Sequence, residues 1–264
     1  MAPDSAPDPE AEARRVALIT GGGTGIGLAV AKALRKQGCS IAISGRREDV
    51  LRAAARDIGA GTLAVVGDVA SPADAKRMVQ ETIDKLGDLH VLVNNAAIWR
   101  TGPIESLDDD SIDQLIDIDV KGPFYLVRHA LPQLRRHRST ATAAILNVGS
   151  SVTSRPLVHY ALYSAAKAAL DMMTRCLALE LAEDRIRVNA VLPGIVETPI
   201  FGTMMPTEKI EGYLERFEEL IPLGRAGRPE DVGRVAAWLC DPANDWLTGA
   251  LVPIDGGLGL GSGR

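Results

Sequence analysis

Seven short apolar runs, VALIT, SIAIS, TLAVVG, LHVLVNN, AAILNV, IRVNAVLPG and ALVPIDGG, recur at residues 16–20, 40–44, 62–67, 89–95, 143–148, 186–194 and 250–257. None has the strict polar alternation of a strand with one wet face, so each suits a strand buried on both sides. Between them lie stretches with helical spacing, such as GLAVAKALRKQG, PADAKRMVQETIDKLG and SAAKAALDMMTRCLALELAED. Strand and helix in alternation dictate a parallel sheet with right-handed crossovers and helices on both faces.

Within 264 residues, 46% of them hydrophobic, there is material for one large core. A formal net charge of −5 without a basic cluster argues against a nucleic-acid-binding surface. No run approaches the roughly 18–20 apolar residues needed to span a bilayer, so no membrane partner is expected. Cys39, Cys176 and Cys240 are odd in number and lack C-x-x-C spacing. They read as core or boundary thiols in a reducing cytoplasm, not as a disulfide framework or a metal site. Residues 1–14 read as a disordered, Pro-, Ala- and acid-rich tail, and residues 15–264 as one domain. The interval 200–223, IFGTMMPTEKIEGYLERFEELIPL, breaks the rhythm of the chain and reads as a substrate lid beyond a strand end.

The first run leads through Thr20-Gly21-x-x-x-Gly25-x-Gly27 into a helix. Glycines at Gly21, Gly25 and Gly27, with Thr24 and Ile26 between them, let the backbone approach a pyrophosphate at the helix N-terminus. The expected architecture is therefore a single-domain, Rossmann-type doubly wound α/β sheet of about seven strands. After the second run an acid would accept the adenosine ribose 2′-OH, whereas this chain has Gly45 followed by Arg46 and Arg47. Two cations without an acid favour a 2′-phosphate, hence NADP(H) over NAD(H), with Arg46 the first contact. Asp68, after the third run, is placed to accept a bond from adenine, while Ser71 ahead of Pro72 is the better helix cap.

Tyr163 and Lys167 stand four residues apart at the start of a helix and project from one face. A nearby ammonium and a cationic nicotinamide favour phenolate, so a lowered Tyr163 pKa is expected, suited to acid-base work. Ser150, at the end of the fifth run, offers a hydroxyl for the substrate oxygen; Ser151 is the alternative, one residue out of step. Trp99, Arg100, Arg155, His159, Phe201, Met204 and Met205 are candidates for the substrate wall.

Between Ser106 and Phe124 the chain carries six aspartates. Asp108 to Asp110 suit the positive end of a helix, and Asp113 and Asp117 share a wet face with Lys121. Asp119 falls in the apolar arc, where a carboxylate needs a partner. Gly122-Pro123 is expected to disturb this helix, because Pro123 cannot donate a backbone bond.

Together, T-G-x-x-x-G-x-G at Thr20 to Gly27, NNAA at Asn94 to Ala97, Ser150, YSAAK at Tyr163 to Lys167, RVNAVLPGIVET at Arg187 to Thr198 and DGG at Asp255 to Gly257 form a set. The chain resembles the short-chain dehydrogenase/reductases over about residues 15–257. The resemblance implies Tyr163 as general acid-base, Lys167 as its modulator and ribose contact, and Ser150 as orienter of the carbonyl or alcohol. It also implies cofactor contacts from Asn95, Val69, Val196 and Thr198, and a homo-oligomer, tetramer or dimer. Ala97 replaces a usual glycine. Asp119 stands where the family commonly has asparagine as a further catalytic member, and is expected to face Lys167 directly or through water. The function implied is interconversion of a ketone or aldehyde and an alcohol by hydride transfer. The alternatives are a silent dinucleotide-binding sensor or scaffold, and a dehydratase or epimerase using the same tyrosine.

Overall fold

The computed structural model describes residues 14–203 and 205–261. Residues 1–13 of the expected tail, and Met204, lie outside the described residues. The strands are β1 (Val16–Thr20), β2 (Ser40–Gly45), β3 (Leu63–Val66), β4 (Val91–Asn94), β5 (Ala144–Val148), β6 (Arg187–Pro193) and β7 (Leu251–Ile254). They form one sheet in the order β3-β2-β1-β4-β5-β6-β7, every neighbouring pair parallel. The chain leaves β1 in one direction for β2 and β3 and returns to its other side for β4, which opens a crevice at the strand ends where ligands bind in such sheets. The expected strands are all present, and the last is cut short where Gly256 and Gly257 turn to φ 63° and 89°.

Helices α1 (Gly25–Lys36), α2 (Glu48–Ile58) and α8 (Pro229–Cys240) cover one face; α3 (Pro72–Leu86), α5 (Gly122–Leu134) and α6 (Ala161–Glu180) cover the other, with α4 (Asp109–Ile116) preceding α5. Strand β1 feeds both cores by its period of two, Leu18 on one side and Ala17 and Ile19 on the other. Helix α8 lies so close to α1 that a Cβ on Gly233 would sit 2.9 Å from the Ala29 carbonyl. The interval 200–223, expected to be a lid, holds α7 (Thr207–Glu218). Among the described residues no helix is long and apolar enough to cross a membrane. Cys39 and Cys240 are buried and Cys176 is exposed, all as free thiols.

At the opposite end of the sheet a polar clasp joins β1, β4 and the end of α5. His90 Nδ1 accepts from the Val16 amide (3.1 Å), and its ring stacks on that of His137 with centroids 3.9 Å apart. Asp88 Oδ1 lies 2.9 Å from His137 Nε2 and accepts from Gln133 and from the Leu89 amide. The trio has metal-ligand composition, but two stacked rings cannot both aim lone pairs at one ion, and Asp88 is already engaged by donors.

Burial, with the charges of His137 and Arg15, outweighs Asp88 and lowers the His90 pKa to about 4. Below the ordinary value of about 6.5 the unfolded chain binds a proton that the folded chain refuses. Stability is therefore intact above that pH and is lost as pH falls towards 4, by roughly 2–3 kcal/mol. Denaturant titrations across this window are expected to show that slope, and His90→Gln, which keeps an acceptor but does not titrate, to flatten it; an equal slope in both proteins would contradict the assignment.

Candidate active site

A cavity of about 710 Å³ opens at the C-terminal ends of the strands. One end is built for an anion. Thr24, the residue before α1, makes no side-chain bond to the helix, and the first turn of α1 holds no acid, so its amides and dipole remain available. Gly21 turns at φ 62°, and a Cβ there would meet Asn95 Nδ2 at 2.8 Å. Asn95 braces this turn, donating to the Thr20 carbonyl (2.8 Å) and the Gly21 carbonyl (3.2 Å). Gly21, Thr24, Gly25, Ile26, Arg46, Asp68, Val69, Asn95, Val196 and Thr198 all line the cavity. Gly27 does not; it is buried against the Gly21 carbonyl and Asn95, where any side chain would collide. Asp68 Oδ1 accepts from the Ala70 amide, and Ser71 caps α3 through the Asp74 amide.

The cavity continues to Ser150, Tyr163 and Lys167. Ser150 follows β5, and Tyr163 and Lys167 come from the first turns of α6. That helix is pinned through the core by a polar chain, Asn94 to Asn147 (2.8 Å) and Asn147 to Thr174 (2.8 Å). Lys167 Nζ donates to the Val148 carbonyl (3.3 Å), lies 5.6 Å from the Tyr163 ring centroid and sits 3.0 Å from Asp119 Oδ2. The expected facing of Asp119 and Lys167 is direct. Asp119 Oδ1 accepts from the Ile98 amide (2.9 Å), so one carboxylate holds the lysine and the strand-end loop together.

A local widening of the helix aims Asp119 inward. Residues Asp117–Lys121 form a π turn, in which the Gly122 amide reaches back to the Asp117 carbonyl. The disturbance expected at Gly122-Pro123 thus falls one turn earlier, because the missing Pro123 amide frees carbonyls upstream of it. Asp108 caps α4 through the Ser111 amide, and Asp117 pairs with Lys121 at 2.7 Å.

Burial pulls the Lys167 amine down, but Asp119 and then Tyr163 more than restore it, so it is held protonated. Burial likewise pushes the Asp119 carboxyl up against the pull of Lys167. For Tyr163 the protein's own groups act in both directions. Lys167 does lower it, with help from Ser150, but burial is larger, Asp119 adds to it, and the phenol ends above its ordinary value. The protein's own groups therefore present Tyr163 as a protonated acid.

Beyond the tyrosine the wall is aromatic. Trp99, Tyr160, Phe201, Tyr213 and Phe217 line it together, and Arg155 reaches the Leu258 carbonyl (2.9 Å) at its edge. His159 is exposed and outside this lining, at φ 70°, with its carbonyl accepting from the Gly102 amide; Arg100 and Met205 are also outside. Tyr160 and Tyr213, whose hydroxyls are 2.7 Å apart, were not candidates from the sequence. Nothing local marks them: Tyr213 reaches the wall only through the placement of α7.

A glycine cradle at an open helix end, beside a phenol set over a buried lysine, defines an NAD(P)-dependent oxidoreductase. The chain matches the family described as "Enoyl-(Acyl carrier protein) reductase" over residues 21–259. It is 36% identical to the peroxisomal 2,4-dienoyl-CoA reductase of Arabidopsis thaliana, across 99% of this chain and 90% of that one. A 3-ketoacyl-(acyl-carrier-protein) reductase from Brucella melitensis, solved with NADH, superposes with TM-score 0.86 at 34% identity, over 93% of this chain and 98% of that one. An actinorhodin polyketide ketoreductase variant, solved with NADPH, gives TM-score 0.85 at 31% identity, over 93% and 97%. The chain belongs to the short-chain dehydrogenase/reductase family.

Because Asn keeps an oxygen for the Ile98 amide, Asp119→Asn is expected to remain folded. Asp119→Leu leaves a buried ammonium unpaired and is expected to lose about 3–5 kcal/mol in urea unfolding; a loss under ~1 kcal/mol would show that the pair does not hold the site.

Proposed function

We propose that the protein reduces a ketone or aldehyde to an alcohol, and runs the reverse oxidation, with Tyr163 as the acid-base group. The observation that carries this reading is Tyr163 beside Ser150, above a lysine held protonated by Asp119, in the cavity that begins at the glycine turn. The cofactor fits the residues present: the uncapped N-terminus of α1 suits a pyrophosphate, and Asp68, Val69, Asn95, Val196 and Thr198 would flank the remainder. When bound, a nicotinamide supplies or accepts the hydride. Ser150 orients the substrate oxygen by its hydroxyl. Tyr163 gives that oxygen its proton as the carbonyl carbon gains hydride, and takes it back in the oxidation. Lys167 stabilises the phenolate left behind and is placed to bind the cofactor ribose.

Arg46 and Arg47 are exposed, line the cavity and have no carboxylate partner among the described residues. With Gly45 in place of an acid, this supports NADP(H) over NAD(H), Arg46 first. Self-association is supported by Phe124, Met172 and Leu179, large apolar side chains exposed on α5 and α6; light scattering that returns the mass of one chain would overturn that part. A second reading, reduction of a conjugated enoyl thioester, draws on the relative named for dienoyl-CoA reduction. The Ser150–Tyr163 pair favours the carbonyl, since it places two hydroxyls for a substrate oxygen.

A panel of ketones, aldehydes and enoyl thioesters, run with NADPH and NADH in parallel, tests both parts. Tyr163→Phe is expected to lose about 10²–10⁴-fold in kcat while dinucleotide binding persists, and Arg46→Ala to raise KM for NADPH about tenfold or more with little change for NADH. Turnover unaffected by Tyr163→Phe would refute the acid-base role, and preference for NADH would refute that of Arg46.

A further inference from the structure

The aromatic wall beyond Tyr163 is tied together at a single polar point. Trp99 meets Phe201 edge to face, with centroids 5.4 Å apart at 87°, and lies 5.8 Å from Tyr213; Phe201 and Tyr213 are 5.4 Å apart, and Tyr213 and Phe217 4.9 Å. Tyr160 immediately precedes α6 and Tyr213 is on α7, so their contact joins the catalytic helix to the lid. No described residue of α7 is fully buried. Its inward side rests on half-buried Tyr213 and Phe217, with Glu218 accepting from the Ala226 amide (3.1 Å).

Two hydroxyls in contact hold two protons, and only one of them lies between the oxygens. Whichever tyrosine accepts keeps its own O–H, and neither hydroxyl has another hydrogen-bond partner among the described residues. Both residues line the cavity. Burial raises both phenols, so they present as neutral donors rather than as charges. Tyr163 lines the same cavity. The cavity thus offers a catalytic O–H, flat aromatic surfaces, and a second, unused O–H.

We propose, on the basis of the carbonyl-reductase reading, that the site takes a planar aromatic ketone or aldehyde carrying a second oxygen across the ring, bound by the Tyr160–Tyr213 pair. The ring packs against Trp99 and Phe201, where aromatic contacts are favourable in offset or edge-on geometry. The second oxygen accepts the spare hydroxyl proton, and a phenolic hydrogen on it donates to the other tyrosine. The chemistry balances simply: hydride from the nicotinamide dinucleotide goes to the carbonyl carbon, the Tyr163 proton goes to its oxygen, and C=O becomes CH–OH. A ring lacking the second oxygen leaves the spare O–H desolvated and unanswered, which is the more discriminating situation for a built polar site.

The probes are 1-tetralone, 6-hydroxy-1-tetralone and 2-octanone, each measured for binding to the NADP⁺-loaded protein by calorimetry and for reduction with NADPH. The proposal expects the hydroxytetralone to bind and turn over with about tenfold or greater advantage over tetralone, and 2-octanone to be poorest. Tyr160→Phe and Tyr213→Phe are each expected to bring the hydroxytetralone-to-tetralone ratio towards one, chiefly through KM and Kd. Equal Kd and kcat/KM for the two tetralones in the unaltered protein would overturn the proposal even if neither variant folds, as would an advantage that survives both substitutions. Hydroxytetralone binding with the predicted advantage but no reduction of any carbonyl would support the aromatic-oxygen site and refute the carbonyl-reductase reading.

Discussion

The contact between Lys167 and Asp119 is the constraint on which the site depends. Both side chains are withdrawn from water, at 3% and 0% exposure, and each would cost several kcal/mol alone. Their 3.0 Å separation is a charge pairing more than an aligned hydrogen bond, since Asp119 Oδ2 has no geometrically sound donor. Stability therefore rests on what surrounds them: the Ile98 amide on one carboxylate oxygen and the Val148 carbonyl on the ammonium. Through these four groups the π turn, the loop after β4, the end of β5 and helix α6 share one position. The polar chain from Asn94 through Asn147 to Thr174 extends the same rigidity into the sheet.

On the proposed reading, the charge pair also tunes the chemistry. In a family that commonly carries a neutral amide at the position of Asp119, a carboxylate keeps the lysine protonated but works against it at Tyr163. The result is a phenol biased towards its protonated form, which suits proton donation to a carbonyl oxygen. On either side the cavity changes character. One end is an open helix terminus beside Arg46 and Arg47, which have no carboxylate partner among the described residues, and the other is lined by aromatic side chains beside the lightly packed α7. On the proposed reading, the cleft runs from anion binding through proton transfer to ring recognition.

The strands, the glycine turn and the inward carboxylate were legible because each is a local pattern: uninterrupted apolar runs, glycines between strand and helix, an acid within an apolar arc. Asp119 shows how far such a pattern reaches, since the helical wheel announced a partner and the structure supplies Lys167 from 48 residues later in the chain. What was not legible depends on several elements meeting. The π turn displaces the kink from Gly122-Pro123, the Tyr160–Tyr213 contact needs α7 to lie over α6, and the clasp of Asp88, His90 and His137 needs α5 to end beside β4. His159 lies outside the cavity lining for the same reason: standing four residues before Tyr163 does not fix direction, and a positive φ turns the chain there. Spacing reveals the lysine that lowers Tyr163, but not the burial and the Asp119 charge that outweigh it among the protein's own groups.

The pH dependence of kcat/KM for alcohol oxidation, compared between the unaltered protein and Asp119→Asn, tests the central claim most directly. Oxidation requires Tyr163 to accept a proton, so its rate rises as the phenol ionises. Removing the carboxylate removes a charge that opposes ionisation, and the rising limb is predicted to move to lower pH in the Asn variant. A limb that stays in place, or moves to higher pH, in a folded and cofactor-binding variant would contradict the claim that the buried pair tunes the tyrosine.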